Sequence, residues 1–173
     1  DITYIKTALG HCYLSLVTDA YSKRIMGYQL LESLSVEGPL RAMKMALKNR
    51  KYNDLLMHHS DRGLQYCSAE YINELLENRI VVSMTENGDP YENAVAERIN
   101  GILKYEFLLI NGFKNHQEAI NTIRESIAIY NHDRPHLSCN MLTPMAMHDQ
   151  KEMPVKKWTK KVPSRLTRDK LLI

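Results

Sequence analysis

The sequence predicts an α/β fold in which a mixed five-stranded sheet carries helices on its faces. Two observations predict it. Apolar patterning reads as strands first and helices later, in the order β-β-β-α-β-α-β-α-α. The first three strands have short connections, as in an antiparallel meander, whereas the last two follow helices, as in α/β crossovers. The 173 residues, 44% hydrophobic and 25% charged, have the size and composition of one ordinary globular domain.

The elements follow in chain order. Residues 2–5 are β-rich and lead to a Gly10-His11 turn; residues 12–18 read as a second strand, 19–23 as a turn and 24–31 as a third strand. Ser35 is placed to cap a helix with Leu40, Met43, Ala46 and Leu47 on one face. Residues 55–59 form a short apolar run read as a buried strand, and Ser68 is placed to cap a helix bearing Tyr71, Ile72, Leu75 and Leu76. Residues 79–84 give the fifth strand and 87–90 (N-G-D-P) a loop. One helix is expected from Asn93 to about residue 110 and another over 115–130, followed by a loop punctuated by Pro135 and Pro144. The predicted division is a core over 1–150 and a basic tail over 151–173.

Charge is unevenly distributed. The net +3 hides a tail with eight Lys/Arg against two Asp/Glu and a body with 15 against 18. On charge alone the body argues against nucleic-acid binding. No run of 18 apolar residues is present, so no membrane span is expected. The chain opens at Asp1 inside a strand, with neither an initiator Met nor a signal peptide, and reads as a fragment of a longer protein. Cys12, Cys67 and Cys139 have no disulfide or zinc spacing and read as buried free thiols of a reducing cytoplasm.

Three carboxylates stand at element ends or first turns: Asp1, Asp61 in H-H-S-D-R-G (58–63) and Glu97 in Y-E-N-A-V-A-E-R (91–98). The 35 residues between Asp61 and Glu97 hold a helix, a strand and a loop, enough to bring the chain back to the same sheet edge. Hard divalent cations such as Mg²⁺ prefer carboxylate oxygens. A pair of them can activate the attacking oxygen and stabilise the leaving one in phosphoryl transfer. No glycine-rich phosphate loop, G-x-S-x-G elbow or H-E-x-x-H competes with this reading. The alternative for each acid singly is a turn or helix-dipole role.

The segments H-S-D-R-G-L-Q-Y (59–66), S-M-T-E-N-G-D-P-Y-E-N-A-V-A-E-R (83–98), Y-N-H-D-R-P-H (130–136) and L-T-P (142–144) fall in a fixed order, as do D-I-T-Y-I (1–5) and V-T-D-A-Y-S-K-R-I-M-G-Y (17–28). Together they resemble the integrase core of bacterial insertion-sequence transposases, over nearly all of residues 1–150. The resemblance implies a ribonuclease H-like fold related to retroviral integrases. It implies Asp1, Asp61 and Glu97 as catalytic and metal-binding acids holding Mg²⁺ or Mn²⁺, with two ions expected. It further implies DNA as substrate, cleavage and strand transfer at transposon ends, circular joining of donor ends, a homo-oligomer on DNA, and a bacterial, nucleoid-associated cytoplasmic location. A hydrolase-only nuclease of the same fold is one alternative. A catalytically inactive DNA-binding or assembly fragment is another.

Residues around the acids complete the expected site. His59 shares a strand face with Asp61 and is a candidate phosphate contact, with a packed structural role as its alternative. Gly63 is expected to permit positive φ or a close backbone approach. Asn93 is a candidate N-cap and DNA contact. Ala94, Glu97, Gly101 and Lys104 share one helical face. Gly101 leaves room there for a DNA backbone, and Lys104 matches the position of a basic DNA-end contact in related integrases. Arg98 lies about 100° off that face. Tyr91, in the loop before this helix, is suited to base stacking or to core packing. Arg134 is a possible phosphate contact within a motif whose favoured role is structural. Lys156, Lys157, Lys160 and Lys161 in the tail suit DNA phosphates. Two divalent ions would turn the body's net charge from −3 to +1, so charge does not exclude DNA.

Overall fold

The structure is a computed structural model and describes residues 1–51, 54–86 and 93–150. Strands β1 (Ile2–Thr7), β2 (Gly10–Thr18) and β3 (Ile25–Leu31) form the expected antiparallel meander. Its register runs from Ile2 opposite Ser15 to Thr7 opposite Gly10, then from Tyr13 opposite Leu31 to Thr18 opposite Ile25, with one irregularity at Val17/Thr18. Helix α1 (Glu37–Lys48) leads to β4 (Leu56–Ser60), α2 (Ala69–Glu77) and β5 (Ile80–Met84), and β4 and β5 pair in parallel. Helix α3 (Ala94–Gly101), helix α4 (His116–His132) and the short α5 (Pro144–His148) complete the described α-helices.

Alternation along the strands creates two cores. On one side of the meander Ile5, Leu14, Leu16 and Ile25 pack against Ile99 of α3 and against Ile123, Ile127 and Tyr130 of α4. On the other side Leu40 and Met43 of α1 join Tyr71 and Leu75 of α2. α1 lies so close to β3 that a Cβ on Gly27 would fall 2.0 Å from the Ala42 carbonyl oxygen. Among the described residues no helix is long and apolar enough to cross a membrane.

Several expectations change. The run 55–59, read as a buried strand, is largely open: Leu55 and Met57 are exposed. Among the described residues the strands hydrogen-bond as two ladders, β1–β2–β3 and β4–β5, rather than as one five-stranded sheet. Patterning fixes which faces are apolar, but not whether two edges come within hydrogen-bonding distance. Here Asp1, Leu16 and Val17 of the meander and Leu56 and Met57 of β4 line one cavity of about 620 Å³. Side chains join the two ladders instead, since Ile2 and Val17 pack on the same cluster as Leu56, Val82 and Met84.

The single helix expected over 93–110 is interrupted. α3 ends at Gly101, a π-helical turn occupies Ile102–Glu106, and a 3₁₀ turn follows at Leu109–Asn111. Gly101 is a weak helix former. Ile99, Ile102 and Leu103 are buried together at i, i+3, i+4, the stripe of an α-helix, so the apolar spacing alone does not reveal the wider turn. Leu108 then takes left-handed dihedrals (φ 59°) and stops the run. Finally, Cys12 and Cys139 are buried free thiols as expected, whereas Cys67 is exposed.

Capping chemistry held at Ser68, whose hydroxyl accepts from the Tyr71 amide at 3.2 Å. At α1 the N-cap is Val36, without a side-chain cap bond, so Ser35 does not serve.

Candidate active site

Asp1 extends the meander by one pair: its backbone nitrogen donates to the Leu16 carbonyl (2.9 Å) and its carbonyl accepts from the Leu16 amide (2.8 Å). Its carboxylate is held at both oxygens. Oδ1 accepts from the Ile2 amide at 2.9 Å, and Oδ2 accepts from Asn100 Nδ2 at 2.6 Å. Asn100 is one turn beyond Glu97 on α3, so this bond joins the first acid to the helix that carries the third.

Asp61 follows β4 directly and is half-buried; its Oδ1 accepts from the Gly63 amide at 3.0 Å. Gly63 has no positive φ, and a Cβ there would stand 3.0 Å from the same oxygen. Close approach, not backbone freedom, is therefore what the glycine provides. The Asp61 charge acts on the Asp1 amino group and opposes the lowering that burial imposes there. Arg62 donates through Nε to the Thr85 carbonyl at 2.6 Å, fastening the chain after Asp61 to the end of β5. Glu97 is exposed in the first turn of α3.

Among the described residues no three His, Cys, Asp or Glu side chains stand close enough together to hold a metal ion. Three carboxylates repel one another, and Asp1 and Asp61 each take protein donors, Ile2 and Asn100 for the first and Gly63 for the second. The donor chemistry still suits a hard divalent cation. Beside Asp1, the Asn100 Oδ1 is buried with no hydrogen-bond partner.

The other expected contacts divide. A Cβ at Gly101 would meet nothing within 4 Å, so this face of α3 is open. Lys104 lies in the π-helical turn, where the wider winding shifts it from the α-helical spacing to Glu97. Arg98 is exposed, and its charge reaches Glu106 and His136. Asn93 occupies the N-cap of α3 but makes no side-chain cap bond; with Asp1, His58, His59 and Ala94 it lines the cavity described above. His59 is exposed and meets Ser83 Oγ at 2.9 Å. His58 turns toward α2 and meets the Tyr71 hydroxyl at 3.1 Å; burial pushes its pKa down to about 4. Tyr91, Lys156, Lys157, Lys160 and Lys161 lie outside the described residues.

Arg134 grips Glu106 with two parallel bonds, Nε–Oε2 at 2.7 Å and Nη2–Oε1 at 2.8 Å. That hydrogen-bonded pairing holds the Glu106 carboxyl below its usual range. The surrounding motif is a brace. Asn131 accepts from the Ile25 amide and donates to the Ile25 carbonyl, both at 3.0 Å, so a side chain completes the end of β3. The buried Tyr130 hydroxyl donates to the Lys23 carbonyl at 2.8 Å, and His136 stacks edge-on against its ring. Thr143 caps α5, with Pro144 in its first turn.

Sequence reasoning missed Asn100. A signal existed: an Asn in a helix interior is unfavourable unless its side chain has work elsewhere.

Comparison with known proteins sets this geometry in context. An integrase core domain family matches residues 1–90, and a second integrase core domain family matches 78–144. The chain is 37% identical over 151 residues to the uncharacterized 31 kDa protein of insertion element IS600 from Shigella sonnei, covering 87% of this chain and 56% of that protein. It is 34% identical over 145 residues to the transposase InsF of insertion sequence IS3A from Escherichia coli K12, covering 83% and 50%. It therefore spans about half the length of the curated relatives it matches. Among solved structures, the simian T-cell lymphotropic virus intasome in complex with a PP2A regulatory subunit, B56 gamma, aligns with a TM-score of 0.73 at 20% identity, covering 94% of this chain and 57% of that one. The HTLV-2 integrase catalytic core domain in complex with magnesium, in its trimeric form, aligns with a TM-score of 0.67 at 18% identity, covering 86% and 92%. The fold is thus the mixed α/β, ribonuclease H-like fold of retroviral integrase catalytic cores.

Proposed function

The chain belongs to the integrase core domain family, and on that premise we propose that it is the catalytic core of a DNA transposase that cuts and joins transposon ends. Asp1, Asp61 and Glu97 are the catalytic acids of this reading. One observation supports it: Asn100, one turn after Glu97 on α3, donates to the Asp1 carboxylate and so links the first acid to the helix of the third.

The acids would hold Mg²⁺ or Mn²⁺, two ions in this proposal. When bound, such ions supply charge neutralisation at the scissile phosphate and polarise the attacking and leaving oxygens. The chain's own residues position the substrate. The open face at Gly101 admits a phosphodiester backbone beside Glu97, and Lys104 and Arg98 supply positive charge along the same helix. Asn93 and His59, at the rim of the cavity by Asp1, are proposed DNA contacts, as is Tyr91. Arg134 acts on DNA only by exchanging Glu106 for a phosphate.

The reaction is two in-line displacements. Water attacks the phosphodiester at the element end, the P–O3′ bond breaks, and a 3′-OH on the element and a 5′-phosphate on the flank result; that 3′-OH then attacks a target phosphodiester, losing its proton to solvent, while the target's P–O3′ bond breaks and the departing 3′-oxygen takes up a proton. Phosphoryl transfer of this kind rests on positioning and electrostatic stabilisation, so no nucleophilic side chain is required. In the proposed setting the protein acts as a homo-oligomer on DNA in the bacterial nucleoid, with residues 151–173 as a basic arm beyond a core over 1–150.

Glu97→Gln tests the reading directly. Glu97 is exposed, so the melting temperature should stay nearly unchanged while metal-dependent strand transfer by the full-length protein is abolished. Undiminished strand transfer in that variant would refute the assignment.

A further inference from the structure

We propose that the outer face of the β1–β2 hairpin binds unpaired nucleotides of DNA, with Tyr4 and Tyr13 as stacking surfaces and Lys6 and Lys114 as phosphate contacts. DNA as the ligand rests on the function proposed above; the surface itself is separate from the three acids. In β1 Thr3, Ile5 and Thr7 are buried, so Tyr4 and Lys6 stand on the opposite face of the sheet. The register sets Tyr4 opposite Tyr13 and Lys6 opposite His11. A sheet face in water ordinarily carries polar residues. Here three rings gather instead. Tyr4 meets Tyr13 edge-on with centroids 5.2 Å apart, and meets His11 edge-on at 6.2 Å.

These rings are open to a ligand. Tyr4 is 54% exposed and His11 is exposed, and neither tyrosine hydroxyl has a hydrogen-bond partner among the described residues. Helix α1 covers the next part of this face, where Gly38 lies against Ser15 and Leu31. Contact between the rings steadies the hairpin. It also fixes them before a ligand arrives, which lowers the ordering cost of binding. Nucleobases stack on such rings with little regard to sequence. A duplex already stacks its bases on one another, so the matching ligand is a single strand.

Charge favours the same ligand. Lys6 and Lys114 line one hollow of about 380 Å³ that adjoins the rings through Lys6. Backbone bonds hold its two sides together: the Phe113 amide donates to the Lys6 carbonyl at 3.0 Å, and the Ala8 amide donates to the Phe113 carbonyl at 2.8 Å. Both lysines are exposed, and neither has an ion-pair partner among the described residues. The acid in the hollow, Glu118, accepts from the Lys114 amide at 2.6 Å. Open rings beside free cations match the two parts of a single strand, its bases and its phosphates. Tyr4 follows Asp1 by three residues, about 10 Å along the strand, so one DNA molecule can span both sites.

The test measures binding of a labelled oligothymidylate to the full-length protein by fluorescence anisotropy, with a duplex of the same length as control. Tyr4→Thr removes the ring and keeps a strand-forming residue; Tyr4→Phe keeps the ring. Tyr4→Thr should weaken oligothymidylate binding about fivefold or more while duplex affinity stays unchanged. Tyr4→Phe should bind as the unsubstituted protein does. Lys6→Gln should flatten the slope of log affinity against log salt by about 0.7. An iodouracil-substituted oligonucleotide should crosslink under light at Tyr4 or Tyr13, and attachment confined to other residues overturns the proposal. So does a folded Tyr4→Thr with undiminished oligothymidylate affinity, or one that loses duplex affinity equally. If Tyr4→Thr does not fold, Lys6→Gln decides: a flattened slope supports the surface and an unchanged slope overturns it. Should Tyr4→Thr keep oligothymidylate affinity but split the protein into smaller assemblies, the face is a contact between copies and the proposal falls. Glu97→Gln separates the two ideas. If it retains strand transfer while Tyr4→Thr loses oligothymidylate binding, the catalytic assignment falls and this surface stands; the opposite pair of results removes only the surface.

Discussion

At the residue scale, two glycines have opposite demands. Gly27 is where β3 and α1 touch, and a Cβ there would run into the backbone of Ala42 and Ala46. Because backbone cannot swing aside as a flexible side chain can, Gly27→Ala should destabilise by about 3 kcal/mol or more; a urea melt measures this. Gly101 faces open space in a helix. Gly101→Ala should therefore stabilise by roughly 1 kcal/mol. On the proposed function it should also reduce DNA cleavage, since the added methyl stands where the DNA backbone approaches. A variant both more stable and fully active would remove Gly101 from the DNA face. Asn131 is a third case. Its side chain satisfies both backbone groups of Ile25 in the interior, and Asn131→Ala would orphan them. About 2 to 4 kcal/mol should be lost.

At the element scale, helix starts show how far local chemistry reaches. Ser68, Asn115 and Thr143 each accept from a first-turn amide, as their residue types suggest. Ser35 has the same chemistry but stands one residue too early, because Val36 occupies the N-cap of α1. Ser68→Ala should thus cost about 1 kcal/mol, whereas Ser35→Ala should cost no more than a few tenths. Equal losses on thermal melting would contradict the observed caps. The helix after Asn93 gives the complementary lesson. Its apolar spacing, with Ile99, Ile102 and Leu103 on one stripe, reads as one continuous helix, yet residues 102–106 wind as a π-helical turn. Periodicity assumes a uniform winding, so any face argument that crosses Gly101, Lys104 included, loses accuracy there.

At the scale of the whole molecule, buried imidazoles set the response to acid. Burial pushes His58 down to about 4, and burial with the neighbouring charges of Arg134, Arg98 and Lys23 pushes His136 to about 4, from an ordinary 6.5. The unfolded chain therefore takes up protons below about pH 6.5 that the folded chain refuses until about pH 4. Stability should be level above pH 6.5, fall between 6.5 and 4, and level off below as far as these groups are concerned. Asp19 adds to the loss at lower pH. Burial raises its pKa, but hydrogen bonds from Ser22, His148 and the Tyr21 and Ser22 amides outweigh that and leave it lowered, so its contribution disappears as pH falls through its folded value. Urea midpoints at pH 7 and pH 4.5 measure the fall, and His136→Gln should lessen it. Identical midpoints would show that these imidazoles titrate alike in both states.

The sequence by itself determined the order of the five strands and of helices α1 to α4, and the antiparallel start; the catalytic role of Asp1, Asp61 and Glu97 is the proposal that its motif spacing supports. Those properties depend on local patterning and on motif spacing, which are read along the chain. Only the tertiary structure decided that β4 and the meander line one cavity without pairing, that Asn131 completes β3, that Arg134 is engaged by Glu106, and that Asn100 reaches Asp1 across 99 positions. Each of these depends on the distance between groups remote in sequence. Such distances are fixed by how whole elements pack, and no local pattern of residue types encodes them.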